Sequence, residues 1–245
     1  LGSTLFFTVA GVGNWRILAL LWALVPAVNA LVFARVPILS LVEDGDGMGI
    51  RELAGNRVFW LFAFIFVCAG ASEQAMSQWA SAFAESGLKV SKTMGDLAGP
   101  CMFSVLMGLS RALYAKYSEK IQLPVFMTIS ALLCVFSYLL AAYGPDPALA
   151  LLGCGLCGLS VGILWPGAFS LASASCPRGG TAMFALLALA GDLGCSAGPT
   201  LVGLVSGAAE GGMKSGLAVA AWIPAVLVLG LLRVMRGGRK KEYNQ

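Results

Sequence analysis

The sequence has 245 residues, of which 58% are apolar and only 11% are charged, whereas about a quarter of an ordinary soluble domain is charged. This composition excludes a water-soluble globular fold. The chain contains no histidine, which excludes histidine-based nucleophiles, metal sites and proton shuttles. We therefore predict neither an enzyme nor a metal or cofactor site. The net charge of +4 comes from basic residues scattered between apolar runs, which indicates membrane topology rather than nucleic-acid binding.

Seven apolar stretches are long enough to cross a lipid bilayer, which requires about 20 mainly apolar residues. In chain order they cover approximately residues 15–34, 58–80, 95–113, 123–143, 148–172, 182–206 and 217–235. Residues 1–13 contain an apolar run that is too short to span, and we interpret it as the truncated end of a transmembrane helix. The sequence thus predicts an all-α membrane protein of about seven transmembrane helices.

A polar connection at residues 36–56 separates the first complete helix, at 14–35, from a block of six helices at 57–236. It carries an acidic, glycine-rich run from Glu43 to Gly47. This connection is interpreted either as the link between two helical halves or as an ordinary flexible loop.

The basic residues predict the orientation in the membrane. Of the 16 lysines and arginines, all but Arg16, Lys89, Lys92 and Lys214 fall on one side of the alternating spans. Because cytoplasmic loops carry the excess of Lys and Arg, this side is cytoplasmic and includes the basic tail at 237–245. We expect a multi-pass protein of the plasma membrane with a cytoplasmic C-terminus.

Two carboxylates, Glu73 and Asp192, lie inside apolar spans. Placing such a group at membrane depth costs at least about 2.5–3.5 kcal/mol, so intramembrane carboxylates usually have a functional role. The alternative for Glu73 is a purely structural role. The alternative for Asp192, which lies between Gly191 and Gly194, is that it caps a broken helix or bonds to a neighbouring backbone.

Other polar and aromatic side chains accompany these carboxylates. Gln74, Ser77 and Gln78 follow Glu73 at spacings that give one helix a polar side. Trp165, next to Pro166, is interpreted either as an aromatic wall for a ligand or as a packing residue. The pair Cys154 and Cys157 lies in an apolar, glycine-rich run, which favours small buried residues over a metal site.

Four local patterns carry a resemblance to a known family. They are the run Gly108, Arg111, Tyr114, Lys116, Ser118, Glu119 and Lys120 before the fourth of the long spans, the set Gly70, Glu73 and Trp79, the pair Trp165 and Pro166, and the run from Gly191 to Gly194 with Gly198 and Pro199. On these residues the chain resembles the last seven of the twelve helices of the major facilitator superfamily. The set Gly70, Glu73 and Trp79 resembles its fucose-permease-like branch.

The resemblance implies a secondary active transporter that moves a small polar solute by alternating access, with coupled protons and a sugar as the suggested solute. It implies that residues 36–56 are a cytoplasmic inter-half loop, that an N-terminal six-helix half is missing from this sequence, and that the protein's partners are the solute, protons and the lipid bilayer. It also assigns Arg111, Glu119 and Lys120 to a conformational latch near the cytoplasmic surface. The alternatives are a drug or metabolite exporter of the same superfamily and a non-transporting membrane scaffold or sensor.

Overall fold

The computed structural model of the protein describes residues 2–36 and 47–243, and within them it shows helices and turns but no β-strand. The acidic run from Glu43 to Asp46 lies outside the described residues. The chain forms two compact units, Leu1–Asp46 and Gly47–Gln245. The predicted all-α fold is confirmed.

The first unit consists of two helices joined by a short 3-10 turn at Val12–Asn14. Helix α1 covers Gly2–Ala10 and helix α2 covers Trp15–Phe33, with Pro26 inside it. Helix α2 is long and apolar enough to cross a membrane, as the sequence predicted.

The second unit contains the remaining helices. They are α3 (Ile50–Gly55), α4 (Arg57–Ala82), α5 (Lys92–Asp96), α6 (Met102–Tyr117), α7 (Leu123–Tyr143), α8 (Pro147–Val161), α9 (Leu164–Ser175), α10 (Gly180–Ala208), α11 (Gly212–Ala220) and α12 (Trp222–Tyr243). Single π-helical turns follow α4 at Phe83–Gly87 and precede α6 at Leu97–Cys101.

These helices combine into six of the seven potential membrane spans found in the described residues. The six are Arg57–Gly87, Lys92–Tyr117, Leu123–Tyr143, Pro147–Ser175, Gly180–Ala208 and Gly212–Gly237. Every span predicted from apolarity is present, and most are longer than predicted because the helices continue past the apolar run into polar end turns.

Local sequence signals explain where several helices begin. The Asn56 side chain accepts a hydrogen bond of 2.9 Å from the Val58 amide and so caps α4. Asp146 does the same for α8 through the Leu149 amide, also at 2.9 Å, and Pro147 follows it at the first helical position, where its missing N–H would have had no partner.

The expected inter-half loop contains the short helix α3 (Ile50–Gly55), and three contacts attach residues 48–53 to the rest of the second unit. Leu53 is completely buried. The Met48 amide donates a 2.8 Å hydrogen bond to the Arg178 carbonyl. The Arg178 guanidinium lies 3.8 Å from the Glu52 carboxylate. A hydrophobicity scan overlooks so short a helix because one buried leucine and two polar contacts, rather than a periodic apolar face, hold it in place.

The backbone of α12 remains helical into the expected tail and ends at Tyr243. Apolarity places the end of the span near residue 235 because the basic residues begin there. Charged residues do not end a helix, since Arg and Lys are favourable in its last turns.

Glycines bring α4 and α10 into backbone contact. A Cβ atom added to Gly194 would lie 2.0 Å from the Val67 carbonyl oxygen, and one added to Gly198 would lie 2.4 Å from the Ala71 oxygen. Both separations are far below van der Waals contact. Small residues let membrane helices approach closely, so this pair of glycines fixes α10 against α4.

The outside of the second unit is rich in large apolar side chains. Phe136, Leu204 and Trp222 are 54%, 69% and 71% exposed. Its interior is packed with groups such as Tyr138, whose hydroxyl donates a 2.8 Å hydrogen bond to the Ser72 carbonyl. Cys154 and Cys157 are fully buried, as predicted. An apolar exterior of this kind fits a lipid environment rather than water.

Candidate functional site

Glu73 lies in the second half of α4 and is half-buried. No described cation lies within ion-pair distance of its carboxylate, since the ion pairs in this part of the chain are Lys92 with Glu85 and Arg178 with Glu52. Arg111 of α6 is nevertheless close enough for its charge to act on Glu73. Glu73 is therefore half-buried and has no ion-pair partner among the described residues.

Asp192 lies on α10, which packs directly on α4, the helix that carries Glu73. The two helices touch near both carboxylates in the chain, because a Cβ atom added to Gly70 would lie 2.4 Å from the Gly191 carbonyl oxygen and 3.0 Å from the Cys195 sulfur. The structure thus places two carboxylates that are far apart in sequence on a pair of directly packed helices.

Asp192 does not cap a broken helix, because α10 is continuous from Gly180 to Ala208. Its side chain is exposed, and no hydrogen bond joins its carboxylate to a described residue. The Ser196 hydroxyl donates to the Asp192 backbone carbonyl at 3.2 Å. The Asp192 carboxylate is therefore free to bind water, protons or a solute.

Trp165 lies at the beginning of α9 and packs across α10. Its ring occupies the space above Gly191, where an added Cβ atom would be 2.3 Å from the ring. It meets Phe66 edge to face at 5.5 Å, and Phe169 packs on Phe66 at 4.4 Å. Trp165 therefore packs on Phe66 and Gly191, and its half-buried ring lies beside the residue that precedes Asp192.

The polar residues after Glu73 are partly accessible. Ser77 and Gln74 are half-buried and Gln78 is exposed. The Gln78 amide donates a 3.3 Å hydrogen bond to the Gln74 side-chain oxygen. This contact leaves the other amide groups of the pair available for further hydrogen bonds.

Arg111 lies inside α6, about one and a half turns before the helix ends at Tyr117. Its Nε donates a 2.9 Å hydrogen bond to the carbonyl oxygen of Gly162, at the break between α8 and α9. In an unbroken α-helix that oxygen would accept from residue 166. Because Pro166 has no N–H, the oxygen is left without its helical donor and Arg111 replaces it.

Glu119 and Lys120 are exposed in the turn after α6. Neither forms an ion pair in the part of the chain that the structure describes. No ion pair therefore joins Arg111 to Glu119 among the described residues, and the hydrogen bond of Arg111 goes to Gly162 instead.

We use the name central site for Glu73, Arg111, Trp165 and Asp192, which α4, α6, α9 and α10 contribute. Sequence reasoning found all four residues, but it did not place Arg111 with the others. Pro166 was the signal in the sequence that could have indicated the position of Arg111. A proline in a membrane helix leaves the carbonyl four residues earlier without its helical donor, so that carbonyl needs a hydrogen bond from another part of the protein.

A separate apolar groove of about 790 Å³ lies between α4, α10 and α12. Its lining includes Val67, Leu193, Thr200 and Trp222, and no residue of the central site takes part in it. The groove and the central site therefore have no residue in common.

Comparison with known proteins supplies the family. A search of curated proteins finds no match to this chain. The family model described as Major Facilitator Superfamily matches residues 1–199, which includes α1 to α9 and most of α10, and thus all four residues of the central site. This match covers most of the chain and agrees with the multi-pass helical fold. The chain belongs to the Major Facilitator Superfamily of membrane transporters.

Proposed function

We propose that this protein carries a small polar solute by alternating access and that proton movement drives the transport. The observation that supports this proposal is that Glu73 and Asp192 lie on two directly packed membrane helices without an ion-pair partner for either carboxylate among the described residues. Carboxylates kept at membrane depth despite their cost usually belong to substrate or proton pathways.

Each residue of the central site has a proposed role. Glu73 is the proton-carrying group, because it is half-buried and a change in its charge alters its interaction with Arg111. Asp192 is more exposed and receives the solute or water. Trp165 supplies an aromatic surface, on which a sugar ring could stack. Gln74, Ser77 and Gln78 supply hydrogen-bonding groups.

The remaining expectations extend this proposal to the whole transporter. A second six-helix half would form the opposite wall of the cavity, since substrate sites of such transporters lie where two halves meet. We place the protein in the plasma membrane with a cytoplasmic C-terminus, on the distribution of its basic residues. Glu119 and Lys120 remain proposed latch residues, and Arg111 is reassigned to the central site.

Uptake into proteoliposomes tests the proposal. The protein as its gene encodes it is reconstituted and offered a panel of sugars and other small polar solutes, with and without an inward proton gradient. We expect gradient-driven uptake of at least one solute. Glu73→Gln and Asp192→Asn should each reduce that uptake by about tenfold or more, because either change removes a charge from the path.

Two matched variants control for the amide substitutions. Asp146→Asn keeps the cap of α8, and Glu85→Gln changes an exposed carboxylate that lies 3.7 Å from Lys92. Both should transport like the wild type. Wild-type uptake by Glu73→Gln and Asp192→Asn would contradict the proposal and favour a scaffold or sensor.

The apolar groove supports a second candidate, an exporter of apolar drugs or metabolites. Its lining is mostly aliphatic and includes Trp222, which suits an apolar ligand. Extrusion of an apolar dye that Leu193→Asn abolishes and Glu73→Gln spares would favour this candidate.

A further inference from the structure

We propose that Arg111 binds an oxyanion, so that the transported solute carries a carboxylate or phosphate group. The inference rests on the proposed function, in which the central site receives the solute, and it narrows the solute from a small polar molecule to an organic anion.

The depth of Arg111 in the membrane is the first observation. The guanidinium is attached to the carbonyl of Gly162, which lies near the middle of the span Pro147–Ser175. The backbone of Arg111 lies in the last two turns of the span Lys92–Tyr117, and its side chain reaches from there to Gly162. A cation at this depth is costly and normally has a partner or a function.

The unused donors of Arg111 are the second observation. A guanidinium has five N–H groups, and only Nε makes a normal hydrogen bond here, at 2.9 Å. One terminal nitrogen approaches the Met107 sulfur at 3.9 Å, which is a weak contact. No carboxylate of the described residues lies within 4.0 Å of Arg111, and the side chain is exposed at the surface of its unit. The terminal donors are thus open to a ligand.

The fixed position of Arg111 is the third observation. The bond to Gly162 uses Nε and leaves the two terminal nitrogens, which form the pair that binds a carboxylate or phosphate by two parallel hydrogen bonds. Helix α6 lies close to the end of α8 at this point, since a Cβ atom added to Gly162 would lie 2.7 Å from the Met107 carbonyl oxygen. A guanidinium held in this way loses little entropy when an anion binds.

Chemical labelling tests the inference independently of transport. Proteoliposomes that contain the protein as its gene encodes it are treated with phenylglyoxal, and modification of Arg111 is followed by mass spectrometry. Glucuronate, glucose 6-phosphate and glucose are the competing probes. We expect the two anions to slow the labelling of Arg111 by about tenfold when saturating, while glucose has no effect. Protection by glucuronate alone would assign a carboxylate, and protection by glucose 6-phosphate alone a phosphate. If none of the three probes slows the labelling of Arg111, or if glucose slows it as much as the two anions do, the inference is overturned.

Variants give a second readout on the same probes. Arg111→Gln should weaken binding of the protecting anion by about tenfold to hundredfold, as expected for loss of charged hydrogen bonds, and Arg111→Lys should restore only part of it. Lys116→Gln, which removes an exposed cation from the same helix, should bind like the wild type. Proton-driven uptake of glucose that Arg111→Gln leaves unchanged would refute the role of Arg111 while leaving the proposed transport function standing.

Discussion

At the scale of single residues, Pro166 leaves a backbone carbonyl without its helical hydrogen bond and Arg111 supplies the replacement donor. A proline inside a membrane helix leaves a carbonyl without its helical donor, and no water is available in the bilayer core to replace it. Arg111 donates to this carbonyl, that of Gly162, at 2.9 Å. This hydrogen bond gives the Gly162 carbonyl a donor and also fixes the position of the Arg111 guanidinium in the central site.

The substitution Pro166→Ala tests this relationship. Alanine restores the N–H that can donate to Gly162, so α8 and α9 should join into a straighter helix and Arg111 should lose its acceptor. We expect slower transport at normal expression and faster phenylglyoxal labelling of Arg111. Pro147→Ala is the control, because Pro147 stands at the first position of α8, where no helical hydrogen bond is lost. Unchanged labelling of Arg111 in Pro166→Ala would show that the proline does not determine its position.

The residue scale also shows the limits of sequence reasoning about the site. Glu73 and Asp192 could be predicted because a carboxylate in an apolar run stands out by itself. The position of Arg111 could not be read from a motif, because it depends on the acceptor that α8 presents across the bundle. Asp192 was also open to interpretation as a cap, and only the continuity of α10 excludes that role.

At the scale of helices, backbone contact between α4 and α10 positions the central site. Gly194 and Gly198 allow α10 to approach α4, and Gly70 and Gly191 meet at the level of Cys195. Gly194 and Gly198 form a G-x-x-x-G spacing, which is typical of close helix contacts in membranes. Such a spacing does not identify the partner helix, because it describes one surface and not the surface that it meets. At Gly207, by contrast, no described atom of a neighbouring helix lies within 4 Å of an added Cβ.

Two alanine substitutions on α10 distinguish the effect of helix contact on stability from the effect of helix propensity. Gly194→Ala places a methyl group 2.0 Å from the Val67 carbonyl oxygen, so α10 must move away from α4. We expect a loss of about 1–3 kcal/mol, seen as a thermal midpoint lower by several degrees in detergent. Gly207→Ala adds the same methyl group to the same helix without a clash and should be neutral or slightly stabilising. Equal midpoints for the two variants would contradict close packing at Gly194.

At the scale of the whole molecule, apolarity and the bilayer thickness largely determine the fold. All seven spans could be predicted because a membrane helix must be long and apolar over its entire length. The helix α3 could not be predicted in the same way, since it depends on tertiary contacts to Arg178. The helical end of α12 lies beyond the apolar run because helix formation there does not need the bilayer.

In the whole transporter we propose that Glu73 carries protons together with the solute. The most direct test is solute-dependent proton entry into proteoliposomes that contain a trapped pH-sensitive dye. We expect a transported solute to acidify the lumen with the wild type and with Glu85→Gln. We expect no acidification with Glu73→Gln, including under conditions in which that variant exchanges labelled for unlabelled solute. Solute-driven acidification by Glu73→Gln at the wild-type rate would contradict the proton-carrying role of Glu73.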